Sequence, residues 1–363
     1  MRIRTFLWLL NLGFFVGFLV GCAGTFKYYD PNLPHHGKTG FLNNYDNSPK
    51  PSVMKWYWQR WTTDFPEEDP AGAPMVPVNL ETLKNPRGLS LTWLGHSSVL
   101  IQMDGMNILT DPAFSERASP VSFAGPKRYG NLPLAVNELP AIDVVVVSHG
   151  HYDHLDLTSL RTIFDLNGGR TRFLVPLGNK ALLESKGIRN VQEMDWWESL
   201  QVGILKVTFT PAQHWSARSL FDRNETLWGG WMIAGPSRQV LYTGDTGYSK
   251  DFQDIYQRLG AVDVALIPIG AYSPRWFMKR LHVDTDEAVQ IHRDLHAKVS
   301  LPVHWGTFKL SDELMTEPPE KLRESLQKAK LPPSVFPVMK RGETFQFEDA
   351  VVNRGFKNES VQN

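Results

Sequence analysis

Cysteine is all but missing from this chain of 363 residues, which has one, Cys22. Disulfides within the chain are thereby excluded, and no thiolate is left to build a metal site in the body of the protein. Any such site must come from histidine and carboxylates. Excess positive charge is missing too: 38 Lys plus Arg face 38 Asp plus Glu. That balance argues against a general binder of nucleic-acid phosphates. Neither an internal repeat nor a low-complexity block is present. The remaining composition, 42% hydrophobic and 21% charged, is that of a globular protein with an ample core, and the length alone permits one domain or two.

The first 22 residues place Arg2 and Arg4 before an apolar run from Phe6 to Gly21, the layout of a secretory signal. The run is shorter than the ~20 residues needed to span a bilayer comfortably. It ends in Leu19-Val20-Gly21-Cys22, which resembles a bacterial lipobox, so the expectation is a signal peptide over 1–21 and lipidation at Cys22. Ala23 resembles the residue that sorts such proteins to the outer membrane, facing the periplasm. An uncleaved anchor is the alternative, and both tether the chain to a membrane.

Residues 23–90 are rich in Pro, Gly and Asn and contain the aromatic knot "KWYWQRW" from Lys55 to Trp61. The expectation is an irregular extension wrapped on the main body, with the knot packed against the core; a place at the lipid interface, where Trp and Tyr rings are enriched, is the alternative. From Leu89 onward, short strands closed by Gly, Asp or Pro dominate: "LSLTWLG", "SVLIQMDG", "MNILTDP", "DVVVVSH", "TRFLVP", "LKVTFTPA", "GGWMIAG", "RQVLYTGD", "DVALIPIG" and "VSLPVHW". Helical patterns lie between them at Leu157, Gly178 and Thr285, the last with Ala288, Ile291 and Leu295 at helical spacing. Mixed elements of this kind predict an α/β architecture of packed sheets with helices outside.

Several strands end in an acid or an imidazole: Asp111, His149, His214, Asp245 and His304. Strand ends converge polar groups on one cleft while their backbones stay rigid. One loop alone, "HGHYDH", supplies His149, His151, Asp153 and His154, which are good ligands for Zn²⁺ and related divalent ions. A divalent cation held there would turn water into a hydroxide nucleophile near neutral pH and neutralise charge on a phosphoryl or carbonyl oxygen. Hydrolysis of an ester, lactone or phosphodiester is the expected reaction class.

This motif resembles that of the metallo-β-lactamase superfamily, and the resemblance implies an αββα four-layer sandwich. It also implies two metal ions, with zinc favoured. His149, His151 and His214 would hold one, Asp153, His154 and His304 the other, and Asp245 would bridge both. Segments from about Phe41 to Gly342, among them "TWLGHSSVLIQMD", "TPAQHW", "IPIGAYSPRWFMK" and "HVDTDEAVQIH", are similar to the N-acyl-phosphatidylethanolamine-hydrolysing phospholipase D family. That similarity implies a phospholipid substrate cut to phosphatidic acid and an N-acylethanolamine, and a homodimer. Asp153 and His282 would be the catalytic residues, His282 lying beside the substrate; a role for His282 in capping the next helix is the alternative.

Tyr272, Arg275, Trp276, Phe277, Met278 and Lys279, in the loop before His282, would meet acyl chains and phosphate, with core packing as the competing reading. His96 is expected to face the cleft or to be a structural hydrogen-bonding residue. Asp111 and Asp156 are expected to orient ligand imidazoles, and His35, His36, His292 and His296 to lie on the surface or in a helix. The resulting division is an extension over 22–88, the hydrolase domain over 89–350 and a polar tail over 351–363. A hydrolase of a soluble lactone or phosphodiester and a non-catalytic envelope lipoprotein are the competing functions. The first predicts a polar cleft, which the "AYSPRWFM" loop opposes, and the second predicts lost ligands, yet all seven are present.

Overall fold

The run of four valines at 144–147 is divided by the pleat of a strand. Val144 and Val146 point into one apolar cluster and Val145 and Val147 into another, as side chains alternating across a sheet buried on both faces must. That division sets the architecture. A computed structural model describes residues 25–46, 50–63 and 67–347; the apolar N-terminal run, Cys22 and the tail lie outside the described residues.

The first helices are α1 (Val53–Thr62) and α2 (Leu80–Lys84). Strands β1 (Leu89–Gly95), β2 (Ser98–Met103), β3 (Met106–Thr110) and β4 (Val144–Val146) follow. Next come α3 (Leu157–Leu166), β5 (Arg172–Pro176), α4 (Lys180–Ser185) and β6 (Val191–Met194). The second half opens with β7 (Ser199–Val202), β8 (Leu205–Thr210), β9 (Gly230–Ala234) and β10 (Gln239–Tyr242). It continues with α5 (Asp251–Leu259), β11 (Val264–Pro268), α6 (Arg275–Met278) and α7 (Thr285–Asp294), and closes with β12 (Val299–Val303), α8 (Pro318–Lys328) and β13 (Thr344–Phe347).

The strands form a seven-stranded sheet in the order β13-β1-β2-β3-β4-β5-β6 and a six-stranded sheet in the order β12-β11-β10-β9-β8-β7. Their inner faces share the larger core, where Trp93, Phe209 and Trp231 are buried. Leu160 and Ile163 of α3 and Leu183 of α4 cover the first sheet. Phe252 and Ile255 of α5 and Ala288 and Ile291 of α7 join the larger core. The architecture is the expected αββα sandwich.

The N-terminal segment is less irregular than its composition implied, because α1 and α2 form within it. The aromatic knot does not pack against the core: α1 has no buried residue. His35 and His36, expected at the surface or in a helix, are buried instead. They bond to the two oxygens of Asp195 at 2.7 and 2.8 Å, and His35 stacks on Trp196 at 4.5 Å. Carboxylate pairing offsets the cost of burying the two imidazoles and pins the extension to the sheet edge. A second tether is the buried Arg341, whose guanidinium donates to the carbonyls of Ala71, Ala73, Tyr129 and Asn131. His292 lies in α7 as expected but is buried against Ser300, 2.9 Å away, whereas His296 is exposed and stacks on Tyr256.

Candidate metal centre

Strand ends from both sheets meet at one edge of the sandwich. His96 follows β1, Asp111 follows β3 and His304 follows β12, and all three have left-handed backbones, with φ of 50°, 30° and 61°. Non-glycine residues adopt this conformation at a cost, and it clusters where a site dictates side-chain direction. Gly244, at φ 64°, precedes Asp245; a Cβ there would meet the Gly229 carbonyl at 2.5 Å and Ser148 at 2.8 Å. Only glycine lets the β10 end approach the β4 end this closely.

Candidate ligand atoms gather in overlapping groups, each with all its atoms within 4.8 Å of one another: His149, His151 and His214; Asp153, His154 and His304 together with His96; Asp111, His149 and His154; and His214, Asp245 and His282. Asp245 lies between the first two groups. Its Oδ2 is 3.0 Å from His304 Nε2 and 3.1 Å from His154 Nε2, and 3.9 and 4.0 Å from His214 and His149 Nε2. The structure therefore brings all seven expected ligands together.

Their protonation fits a cation site. Burial pushes His149 and His214 well below the ordinary imidazole value, and His151 down to about 4. Burial also works against His154 and His304, but Asp245 and Asp153 override it, holding His154 well above its ordinary value and His304 up at about 9. Burial opposes ionisation of Asp153 and Asp245 as well, yet the facing His154 and His304 keep both carboxyls well below the usual range. His151 turns its Nδ1 towards His149 Nε2 and His214 Nε2, at 2.8 and 3.4 Å, while His154 Nε2, His304 Nε2 and Asp245 Oδ1 are buried without a hydrogen-bond partner. Orphaned nitrogens and a carboxylate oxygen so close together are costly unless a cation takes the place of the protons, so the donor set fits divalent metal.

The supporting contacts fix which nitrogen is free. Asp111 accepts from His154 Nδ1 at 2.6 Å, Ser148 Oγ and Tyr242 OH at 2.5 Å each, and the Ser148 amide at 2.7 Å. His154 thus carries its proton on Nδ1 and presents Nε2 to the cluster. With its hydroxyl proton committed to Asp111, Ser148 Oγ accepts from His149 Nδ1 at 2.9 Å, which bares His149 Nε2. His214 Nδ1 donates to the Leu281 carbonyl at 2.9 Å, and Asn43 brackets the His214 backbone with both ends of its amide. Tyr242, Ser148 and Asn43 were not singled out in the sequence; Tyr242 reads there as one more strand residue.

Other expectations need correction. Asp156 orients no ligand: it caps α3, accepting from Thr158 N and Ser159 N, and also binds Ser115 N. Arg275, expected at a phosphate, is engaged by Glu287 at 2.6 Å and Asp284 at 3.1 Å and donates to the His282 carbonyl. Tyr272 donates to Glu317 at 2.6 Å, Phe277 stacks on Trp56, and Trp276 Nε1 bonds Gln59. Met278 is buried and Lys279 exposed. His96 touches the Asp153 carboxylate at 3.0 Å, and burial lowers its pKa to about 3. His282 does not cap α7, a role taken by Asp284 in a capping box with Glu287. Its ring lies 5.1 Å from that of His214 and 5.6 Å from that of His304, and its Nδ1 is buried and unpaired.

Residues 106–305 match the family described as a beta-lactamase superfamily domain. The chain is 40% identical over 288 residues to N-acyl-phosphatidylethanolamine-hydrolyzing phospholipase D 1 of Caenorhabditis elegans, covering 76% of this chain and 81% of that protein. It is 39% identical over 102 residues to outer membrane protein RomA of Klebsiella pneumoniae, covering 28% of this chain and 75% of the other. Among solved structures, a metallo hydrolase from the archaeon Ignicoccus hospitalis is 25% identical with a TM-score of 0.52, covering 72% of this chain and 99% of that one. A two-sheet sandwich that brings seven candidate ligands to one edge, together with these likenesses, shows that the chain belongs to the metallo-β-lactamase superfamily and is a metal-dependent hydrolase resembling N-acyl-phosphatidylethanolamine-hydrolysing phospholipase D.

Proposed function

We propose that the protein is a phospholipase D-type phosphodiesterase that hydrolyses N-acyl-phosphatidylethanolamine, or a related phospholipid, at a centre holding two divalent metal ions, favoured as zinc. The observation that carries the two-ion reading is the position of Asp245, one of whose carboxylate oxygens lies within 4.0 Å of both histidine clusters. The phospholipid is supported by the likeness to the nematode phospholipase.

Bound divalent ions would supply acidified water and neutralisation of phosphoryl charge. The chain's own residues do the rest. His149, His151 and His214 would hold one ion, Asp153, His154 and His304 the other, and Asp245 both, while Asp111 and Ser148 hold two of the imidazoles in the ligating tautomer. His96 steadies Asp153 through its 3.0 Å contact. His282, with an unpaired ring nitrogen beside the cluster, would bind a phosphoryl oxygen or the departing oxygen. Water oxygen bonds to phosphorus, the phosphorus–oxygen bond to the ethanolamine breaks, and the water proton ends on that oxygen. The products are phosphatidic acid and an N-acylethanolamine.

In the same reading the protein is a bacterial envelope lipoprotein anchored through Cys22, with outer-membrane placement following from Ala23, and it pairs as a homodimer. Support comes from the lipobox-like end of the apolar run and the partial likeness to RomA. Among the described residues no helix is long and apolar enough to cross a membrane. Metal content of the purified protein by mass spectrometry tests the centre: two ions per chain are expected, and one ion in a fully active enzyme would refute the dinuclear reading.

A further inference from the structure

Helix α1 is amphipathic in the wrong sense for a surface helix. Trp56, Gln59 and Arg60 face the protein. Trp56 stacks on Phe277 with centroids 4.9 Å apart, Gln59 Oε1 accepts from Trp276 Nε1 at 3.0 Å, and Arg60 pairs with Asp312 at 3.3 Å. The opposite face carries Met54, Tyr57, Trp58 and Trp61, at the i, i+3, i+4, i+7 spacing of one helical stripe. They are 84%, 63%, 64% and 81% exposed. Surface helices normally turn such a stripe to the core, and a contiguous exposed apolar patch marks an interaction site.

Its place in the fold ties it to the reaction. The helix rests on α6, whose Met278 carbonyl accepts from the His282 amide at 2.9 Å, so the stripe flanks the segment that carries His282. We infer that the outward face of α1 is a membrane-docking surface that inserts Met54, Tyr57, Trp58 and Trp61 into the interface of a bilayer and seats the mouth of the metal centre on the lipid. The inference rests on the phospholipid reading above.

Three observations favour a bilayer over another occupant. Tyrosine and tryptophan are the residues enriched at the membrane–water interface, with a polar tip on an apolar body. Lys55, exposed in the same helix, has its Nζ over the Trp276 ring at 4.6 Å, and a cation there suits anionic headgroups. The apolar run from Phe6 to Gly21, preceded by Arg2 and Arg4, stands upstream in the same chain.

The test uses the full chain on vesicles of phosphatidylethanolamine and phosphatidylglycerol with brominated acyl chains, comparing the parent with Tyr57→Ser/Trp58→Ser/Trp61→Ser. Vesicle binding alone does not discriminate, since the N-terminus would tether both. Brominated chains are expected to quench a larger fraction of the tryptophan fluorescence in the parent than in the triple substitution. The substituted protein should turn over vesicle-borne substrate about tenfold more slowly, while its turnover of the same lipid in detergent micelles stays within about twofold. Unchanged metal content and melting temperature establish that it is folded. Equal fractional quenching in the two proteins would overturn the inference. So would shielding of Trp58 and Trp61 that needs no lipid and rises with protein concentration, which would make the occupant a second copy of the chain. Quenching without hydrolysis of any phospholipid would uphold the surface and remove the substrate, which separates the two failures.

Discussion

Replacing Asp111 with Asn changes one atom of a residue that touches no substrate, yet the structure predicts a large effect on metal binding. Asp111 accepts four hydrogen bonds and donates none: from the Ser148 amide on Oδ1, and from Ser148 Oγ, Tyr242 OH and His154 Nδ1 on Oδ2. An amide offers one acceptor oxygen and one donor group. Turned one way, its NH₂ faces the Ser148 amide, donor against donor. Turned the other way, it faces the two hydroxyls and His154 Nδ1, and His154 must move its proton to Nε2, the nitrogen 3.1 Å from Asp245. The first orientation keeps the His154 tautomer but sets donor against donor at the Ser148 amide, and the second reverses the tautomer, so each weakens the support of the site. Loss of such a supporting contact typically lowers metal affinity ~10–100-fold, or about 1.4–2.8 kcal/mol. Tyr242→Phe removes one of the four donors without supplying a wrong one and should cost less than Asp111→Asn. Competition against a chromophoric chelator measures both, with the melting temperature of the metal-free protein as the control for general damage. Parent-like affinity in Asp111→Asn would refute the tautomer argument.

The other predictions separate ligands, proton donor, core and anchor. Asp153→Ala and His304→Ala should lower metal content and abolish hydrolysis, whereas His282→Ala should retain its metals and lose activity; a fully active Asp153→Ala protein would contradict the site. His292, which burial lowers to about 4 from an ordinary 6.5, binds its proton chiefly after unfolding, so its contribution to stability is present above pH 6.5 and is lost as pH falls towards 4. The parent should lose about 3 kcal/mol more than His292→Gln across that window, measured by denaturant unfolding at each pH, and equal losses would remove the assignment. Cys22→Ser should free the protein from membrane fractions; a Cys22→Ser protein that stays bound and uncleaved would count against lipidation.

Much of the site was legible because its chemistry is local. His149, His151, Asp153 and His154 fall in one loop after four valines, and the strand ends at His214, Asp245 and His304 stand out as polar residues closing apolar runs. Packed sheets with helices outside were legible in the short strands, but the αββα sandwich itself followed from the family resemblance, and the polar β6 and β7 and the isolated β13 carry too little apolar alternation to stand out. What escaped depends on partners far away in the chain. His35 and His36 are buried only because Asp195 meets them 160 and 159 residues on, and Tyr242 supports the site only because β10 faces Asp111 across the two sheets. The stripe of α1 is readable as a pattern, but which side of the helix meets the protein is decided by Phe277 and Asp312, distant residues that the pattern does not contain.

The central claim is tested most directly by supplying N-acyl-phosphatidylethanolamine in detergent micelles to the metal-loaded protein, in water enriched in ¹⁸O, with Asp153→Ala as control and both products identified by mass spectrometry. The expected products are an N-acylethanolamine and a phosphatidic acid that carries the heavy oxygen, neither formed by the control. A protein that holds its metals and leaves this lipid intact would contradict the phospholipase reading.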